Sequence, residues 1–319
     1  MNFRHFLFAF SLVLAVTFSA ICQASPVPAF ESLKDFPKIR DFTMTSDGTE
    51  AYFTIQSLLE EVTYIATMNK WRGMWLEPKI ASFSGKHRDL EPSLSPDGLK
   101  LYFVSTRPLD SKDEKPEDHD IWVVERKKKG GKWSQPKNLG TPVNSSKEEF
   151  YPSVAANGNI YFTLEAKGVK PDIVMSKWNG NSYEKPVPLG EGVNSEGHEY
   201  NAFVAPDESF LIFGGYQRAE GFGSGDLYVS RRQQGGKWSK ALNLGKEINS
   251  VSMDFCPFVD FNTKTLYFTS RRSNVSSKTL ETIDDFKNAA NSYENGLSRL
   301  YRVSFAKQLD RLIVLAINE

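Results

Sequence analysis

Four acidic residues recur at regular intervals along the chain, each preceded five residues earlier by a polar side chain. The acids are Asp89, Glu149, Glu199 and Asp254, and the upstream residues are Ser84, Asn144, Asn194 and Asn249. If their loops converge, the carboxylates form a partial ring that offers hard oxygen ligands to Ca²⁺ or hydrogen-bond acceptors to a sugar. The repetition favours a second interpretation, in which each acid accepts hydrogen bonds within its own loop and supports the scaffold.

Arginine and histidine side chains could complete such a site. Arg107 and Arg272 each stand shortly after a predicted strand, and a guanidinium there would bind an anionic or hydroxyl-rich ligand. His198 stands next to Glu199, and a histidine beside a carboxylate can take part in acid–base chemistry. None of the histidines after residue 24 is at metal-binding spacing from another. The candidate ligand-binding set is Asp89, Glu149, His198, Glu199, Asp254, Arg107 and Arg272. No residue is assigned to catalysis and no cofactor is expected, with Ca²⁺ as the alternative.

Five sequence repeats must position these residues. An eight-residue block recurs without gaps, as DFTMTSDG from Asp41, EPSLSPDG from Glu91, YPSVAANG from Tyr151, NAFVAPDE from Asn201 and CPFVDFNT from Cys256. Each block leads through a turn into a run of aromatic and β-branched residues, such as LYFVS from Leu101. Asp-Gly or Asn-Gly between two such runs is typical of a β-hairpin.

Two more strands complete each unit. A third run follows the hairpin, as in DIWVVER from Asp120, and a fourth follows a glycine-rich turn, as in GGKWSQPKNLG from Gly130. Four short antiparallel strands in each unit predict one blade of a β-propeller. We therefore expect an all-β fold over residues 25–319, a single β-propeller of five four-stranded blades, with six blades as the alternative.

One large ring recurs in the predicted fourth strands. The residues at this position are Trp75, Trp133, Tyr183 and Trp238. A large aromatic side chain can fill the space between adjacent blades, and we interpret these rings as core rather than as a ligand cage.

The repeats resemble the WD-like propeller repeats of TolB-like periplasmic proteins. The resemblance rests on stretches such as EPSLSPDGLKLYFVSTRPLD, which ends at Asp110, and KNLGTPVNSSKEEFYPSV, which ends at Val154, and it covers about residues 41 to 303. It implies a propeller in an exported protein. It also implies a role in protein–protein contact, because these repeats are associated with contact more than with one chemistry. It supplies no catalytic residue.

The fifth unit has no fourth strand of its own. The segment from Pro26 to Lys38 precedes the first blade, and we expect it to pair as the outer strand of the last blade, because an open propeller edge is a liability. The alternative is the apolar run from Leu312 to Ile317, which could form a strand or one face of a short helix.

The fifth unit also carries an insertion, residues 273–297. Apolar side chains recur in it at three- and four-residue steps, at Leu280, Ile283, Phe286, Ala290 and Tyr293. This spacing predicts an amphipathic helix. We favour a helix that packs its apolar stripe onto the blade, and the alternative is a lid over the central channel.

The N-terminus predicts export. Arg4 is followed by an apolar stretch from Phe6 to Ile21 and then by Cys22-Gln23-Ala24, the pattern of a secretory signal peptide cleaved after Ala24. The protein is therefore expected in the periplasm or secreted. Cys256 is the one cysteine after that point, so no intramolecular disulfide is expected.

Charge and motifs exclude several functions. The chain has 39 basic and 39 acidic residues, so it lacks the excess of positive charge expected for nucleic-acid binding. No second apolar segment is long enough to predict a membrane span. The G-x-S-x-G, H-E-x-x-H, C-x-x-C and P-loop motifs are all missing from the sequence.

Two functions remain. The favoured one is a non-catalytic binding or scaffold module for a protein or cell-envelope component, with a glycan as a further possible partner. The alternative is a carbohydrate-active enzyme or glycan binder that uses the acidic loops near the axis, since a glycosidase needs only two suitably spaced carboxylates.

Overall fold

The computed structural model describes residues 25–109, 118–276 and 280–318. The predicted signal peptide, residues 1–24, lies outside these ranges. Among the described residues, no helix is long and apolar enough to span a membrane.

The chain forms a β-propeller of five blades, which confirms the predicted fold class. Each blade is an antiparallel sheet whose strands follow one another from the axis outward, and the first strands of neighbouring blades contact each other around the ring. The strands of blade 1 are β2 (Lys38–Met44), β3 (Glu50–Gln56), β4 (Thr63–Trp71), β5 (Met74–Trp75) and β6 (Lys79–Ile80). Both β5 and β6 pair with β4.

Blades 2 to 4 have four strands each. Blade 2 contains β7 (Asp89–Leu94), β8 (Lys100–Ser105), β9 (Asp120–Glu125) and β10 (Lys137–Asn138). Blade 3 contains β11 (Glu148–Val154), β12 (Ile160–Ala166), β13 (Val169–Ser176) and β14 (Val187–Pro188). Blade 4 contains β15 (His198–Val204), β16 (Phe210–Tyr216), β17 (Asp226–Arg231) and β18 (Leu242–Asn243).

The N-terminal segment completes blade 5, as expected from the sequence. This blade contains β19 (Asp254–Asp260), β20 (Thr265–Ser270), β21 (Arg299–Ser304) and β1 (Val27–Pro28). Residue Val27 pairs with Arg302 across the β1–β21 ladder, and Phe30 just beyond it is buried. Its ring centroid lies 5.3 Å from that of Phe42 in blade 1. The ring of blades is thus closed by a strand from the opposite end of the chain.

The two helices differ in how they pack. Helix α2 (Ala306–Asn318) follows β21 and includes the C-terminal apolar run, which is therefore helical rather than a strand. Its Leu309 and Leu312 are buried against the core of blades 4 and 5.

Helix α1 (Ile283–Ala290) forms within the predicted insertion. Its start is stabilised by a capping box between Thr282 and Asp285. The expected packing of its apolar stripe is wrong for the helix itself, since Ile283 is 71% and Phe286 60% exposed. Tyr293, after the helix, makes the contact with the blade, because its ring packs edge-on against Tyr301 while its hydroxyl donates to the Leu300 carbonyl.

Replacing Phe30 with Ala should lower the free energy of unfolding by about 3–5 kcal/mol, the usual effect of removing a buried phenyl ring. The matched control is Val27→Ala, which changes a 48% exposed side chain on the same closing segment and should cost under about 1 kcal/mol. Urea unfolding of a chain of residues 25–319, here called the mature chain, measures both. Equal losses for the two variants would show that the closing segment is not anchored by Phe30.

Candidate functional site

The four predicted acids lie within their own blades. Asp89, Glu149, Glu199 and Asp254 are all fully buried at the start of an inner strand. In blade 2, Asp89 accepts hydrogen bonds from Ser84 Oγ (2.8 Å) and Ser105 Oγ (2.7 Å) and pairs with Arg107 at 2.5 Å. Corresponding arginine–acid pairs join Arg218 to Glu199 (2.7 Å) and Arg272 to Asp254 (2.9 Å).

These arginines are enclosed by aromatic rings of the same blade. The guanidinium carbon of Arg107 lies 4.9 Å from the Phe103 centroid and 5.3 Å from that of Trp122. Arg272 stacks in the same way on Phe268 and Tyr301. The structure therefore brings each predicted arginine to its own acid, rather than bringing the acids of different blades together. A ligand-binding role for these residues stays a prediction.

The upstream asparagines connect neighbouring blades. Asn144 Oδ1 accepts from the Ile121 amide at 2.9 Å, and Asn144 Nδ2 donates to the Ile121 carbonyl at 3.0 Å. The side chains of Asn194 and Asn249 pair in the same way with the backbone of Ile173 and Leu227. Each amide continues the edge of a third strand in the preceding blade.

Glu149 is the exception among the four acids. It accepts from Ser145 Oγ at 2.6 Å. Blades 2 and 5 carry their arginine two residues beyond the hairpin partner of the acid, and blade 3 has Ala166 at that position. Burial raises the pKa of Glu149 to about 7, and the nearby Asp120 and Asp118 add to the effect.

The histidine side chains make contacts with residues other than these acids. His198 makes an edge contact with Tyr216, with centroids 5.7 Å apart, and His119 Nδ1 lies 2.6 Å from Glu148 Oε2. In the part of the chain that the structure describes, no group of three or more His, Cys, Asp or Glu residues could hold a metal ion.

A second cluster, at the axis, was not predicted. The inner strands each carry a bulge at one residue of left-handed conformation, with φ between 50° and 60°. These residues are Asp41, Glu91, Tyr151, Asn201 and Cys256. All five are buried, and they are the first residues of the five aligned sequence blocks. The first position of the aligned blocks is polar and differs from repeat to repeat. This is the signal in the sequence that could have located the cluster.

The backbone amides of these residues connect the blades. Asp41, Glu91 and Asn201 donate their N–H to threonine hydroxyls of the preceding blade, at Thr269, Thr54 and Thr163. The corresponding residue in blade 2 is Val104, which has no hydroxyl. Glu91 Oε2 takes the place of the missing hydroxyl and accepts from the Tyr151 amide at 2.6 Å.

Arg40 holds the acids of this axial cluster. Its Nε donates to Asp41 (2.7 Å) and its Nη2 to Glu91 (2.8 Å), while the Cys256 thiol donates to Asp41 Oδ1 (2.8 Å). Burial raises the pKa of Glu91 to about 7 against the opposing charge of Arg40. Burial likewise raises the pKa of the Cys256 thiol well above its ordinary value.

Three further cations surround this end of the axis. Lys38 Nζ lies 2.8 Å from Glu60 Oε1, and Arg88 Nη1 donates to the Glu60 carbonyl at 2.7 Å. The guanidinium of Arg271 lies 5.7 Å from the Phe255 ring, which it shares with Arg40 at 5.2 Å. We call Lys38, Arg88, Arg271 and Glu60 the basic rim. The hydrogen bond from Lys38, with support from Arg40 and Arg271, lowers the pKa of Glu60.

Comparisons with known proteins agree on the fold. No family model matches the sequence, and no curated protein does. Among solved structures, a glycoside hydrolase matches at a TM-score of 0.54 with 7% identity, over 83% of this chain and 86% of the other. The catalytic domain of the GH62 α-L-arabinofuranosidase of Coprinopsis cinerea matches at 0.50 with 9% identity, over 89% and 96%. Putative TolB of Agrobacterium tumefaciens matches at 0.47 with 12% identity, over 74% and 71%.

Replacing Glu149 with Gln should flatten the dependence of stability on pH. Because the folded-state pKa of about 7 lies above the ordinary 4.5, the contribution of Glu149 to stability is complete at acidic pH and is lost as the pH rises through 7. Part of the slope remains in the variant because Glu91 titrates in the same window. Urea unfolding between pH 5 and 8 measures it.

The control for this variant is Glu199→Gln, which breaks the buried pair with Arg218. It should cost about 3–5 kcal/mol, since Arg218 keeps only the more distant and partly exposed carboxylate of Glu220, at 3.7 Å. An unchanged slope in Glu149→Gln would contradict the assignment of a near-neutral pKa to this carboxyl.

Proposed function

We propose that this chain is an exported β-propeller that binds an acidic protein or cell-envelope component without catalysis. The binding face is the end of the ring at which the inner strands begin. The basic rim is the observation that carries the proposal, because Lys38, Arg88 and Arg271 are gathered there around the carboxylate of Glu60.

The charge balance of this face supports an acidic partner. Arg40 is already neutralised by Asp41 and Glu91, so it contributes little to the field outside. Lys38, Arg88 and Arg271 leave the rim with an excess of positive charge after Glu60 and the neighbouring Glu61 are counted. A positive face of this kind increases the rate and selectivity with which a negative surface associates.

Export and contact are supported by the sequence. The predicted signal peptide places the protein in the periplasm or outside the cell, where envelope components are accessible. The resemblance of the repeats to TolB-like propellers favours contact over chemistry. The buried arginine pairs of Asp89, Glu199 and Asp254 are also what a scaffold requires, because exposed catalytic carboxylates would have to be free of them.

The test measures binding of the mature chain to defined polymers by biolayer interferometry. Poly-L-glutamate and polygalacturonate represent acidic protein and acidic envelope partners, and dextran is the neutral reference. The double variant Arg88→Ala/Arg271→Ala should weaken binding to one or both acidic polymers at least tenfold, and raising the salt concentration should weaken binding to the unmodified protein.

The matched control is Lys127→Ala/Lys128→Ala. It removes the same number of charges from the turn after β9, at the opposite end of the ring, where Lys129 bonds Ser46 in the first hairpin turn of blade 1. This control should bind like the unmodified chain. Equal losses in the two double variants, or equal binding to dextran, would refute the basic rim as the binding face.

A carbohydrate-active enzyme is the second candidate, and one observation favours it. Asp41 and Glu91 lie on two nitrogens of one guanidinium, and Glu91 has a pKa of about 7, suited to a proton donor near neutrality. The same fold occurs in a glycoside hydrolase. Release of p-nitrophenol from a panel of aryl glycosides, abolished in Glu91→Gln, would support this candidate. No release from any substrate would refute it.

A further inference from the structure

Two of the blade interfaces are sealed by the same arrangement of side chains. Between blades 1 and 2, Trp133 Nε1 donates to the Tyr52 hydroxyl at 2.8 Å, and the Arg126 guanidinium lies 4.2 Å from the Trp133 ring. The carboxylate of Glu50 accepts from Arg126 at 2.7 Å and also binds the Tyr52 hydroxyl.

The interface between blades 3 and 4 repeats this arrangement. Trp238 packs edge-on against Tyr161, and the Arg232 guanidinium lies 4.9 Å from the Trp238 ring. Here Glu208 supplies the carboxylate and accepts from the Tyr161 hydroxyl at 2.6 Å. A tyrosine, a tryptophan, an arginine and an acid together fill the outer part of both interfaces.

The interface between blades 2 and 3 departs from this arrangement at each position. Tyr102 keeps the place of the first tyrosine, but the hairpin register puts Trp178 where the others have arginine, and Tyr183 takes the place of tryptophan. Lys100 and Gly158 occupy the positions at which the two sealed interfaces have Glu50 and Glu208. The seal is therefore absent, and a groove of about 750 Å³ takes its place.

The groove is built rather than left by loose packing. Trp178 lies directly on Gly158, because a Cβ on that glycine would be only 2.8 Å from the indole ring. The Trp178 amide donates to Asn159 Oδ1 at 2.9 Å, and its ring contacts Tyr183 with centroids 4.9 Å apart. The Tyr102 and Tyr183 hydroxyls hydrogen-bond to each other in the wall. Two partly exposed rings are thereby held in fixed positions.

The polar residues of the groove are suited to hydroxyl groups. Asn138, Asn181 and Ser182 line it together with Lys100, Glu125 and Asp97. Lys100 and Glu125 already pair at 2.9 Å, and Lys137 in the lining balances Asp97, so the lining has mixed charge and no excess of one sign. Amides, which both donate and accept, and carboxylates, which accept, match the polar edges of a sugar ring, and the aromatic faces match its C–H faces.

We propose that this groove binds a neutral oligosaccharide, with Trp178 and Tyr183 as the stacking surface and with the Asn181 amide and the Ser182 hydroxyl as hydrogen-bonding partners of the sugar hydroxyls. The volume lies within the range of pockets that bind small molecules. The groove includes the hairpin turns at Ser95–Asp97 and Ala156–Gly158, so it opens at the opposite end of the ring from the basic rim. The two proposals are therefore independent.

Titration calorimetry of the mature chain tests this proposal with hexasaccharides of cellulose, xylan, laminarin, maltodextrin and chitin, and with hexagalacturonate as the anionic arm. At least one neutral hexasaccharide should bind, and Trp178→Ala should weaken that binding at least tenfold. Trp71→Ala, which removes a 63% exposed indole from blade 1, should leave it unchanged.

A second variant guards against loss of folding. Lys100→Glu/Trp178→Arg/Tyr183→Trp introduces the acid, arginine and tryptophan of the sealed interface between blades 1 and 2, so it should close the groove, keep the melting temperature within a few degrees of the unmodified chain, and abolish sugar binding. Arg88→Ala/Arg271→Ala should bind the sugar normally. The proposal is overturned if no neutral hexasaccharide binds at millimolar concentration, if only hexagalacturonate binds, or if the closed variant binds as well as the unmodified chain.

Discussion

The propeller depends on one backbone constraint, the left-handed residue in the bulge of every inner strand. None of the five residues is glycine, so each adopts a conformation that costs roughly 1–2 kcal/mol for a residue with a side chain. The cost is offset where the exposed amide reaches an acceptor on the preceding blade, as Glu91 does at Thr54. The bulges therefore connect blades at the axis and at the same time direct five unlike side chains into the centre.

The breaks in the repeat concentrate on blade 3 and its boundary with blade 2. At the axis, Val104 stands where other blades have a threonine hydroxyl, so the Tyr151 amide donates instead to the buried carboxylate of Glu91. Ala166 stands in place of an arginine, and burial raises the pKa of Glu149. Trp178 replaces another arginine and opens the outer groove. A single interface thus combines departures at its axis and at its rim, which is where a repeat protein can acquire a function without losing its scaffold.

The blades could be predicted from the sequence because turn residues and alternating apolar runs act locally. Closure by the N-terminal segment was also predictable, since the fifth repeat lacks an outer strand. The axial cluster was not, because whether Asp41 and Glu91 meet depends on the bulge, which no residue type in the block specifies. The exposure of Phe286 was missed because a capping box stabilises a short helix whether or not its apolar side is covered.

Hydrogen–deuterium exchange of the mature chain, with and without poly-L-glutamate and polygalacturonate, tests the location of the binding face most directly. Amides in peptides that contain Lys38 to Arg40, Arg88 and Arg271 should exchange more slowly in the presence of at least one of the two acidic polymers. Peptides that contain Lys127 to Gly131 should exchange at an unchanged rate. Protection confined to that opposite turn, or spread evenly over all five blades, would contradict it.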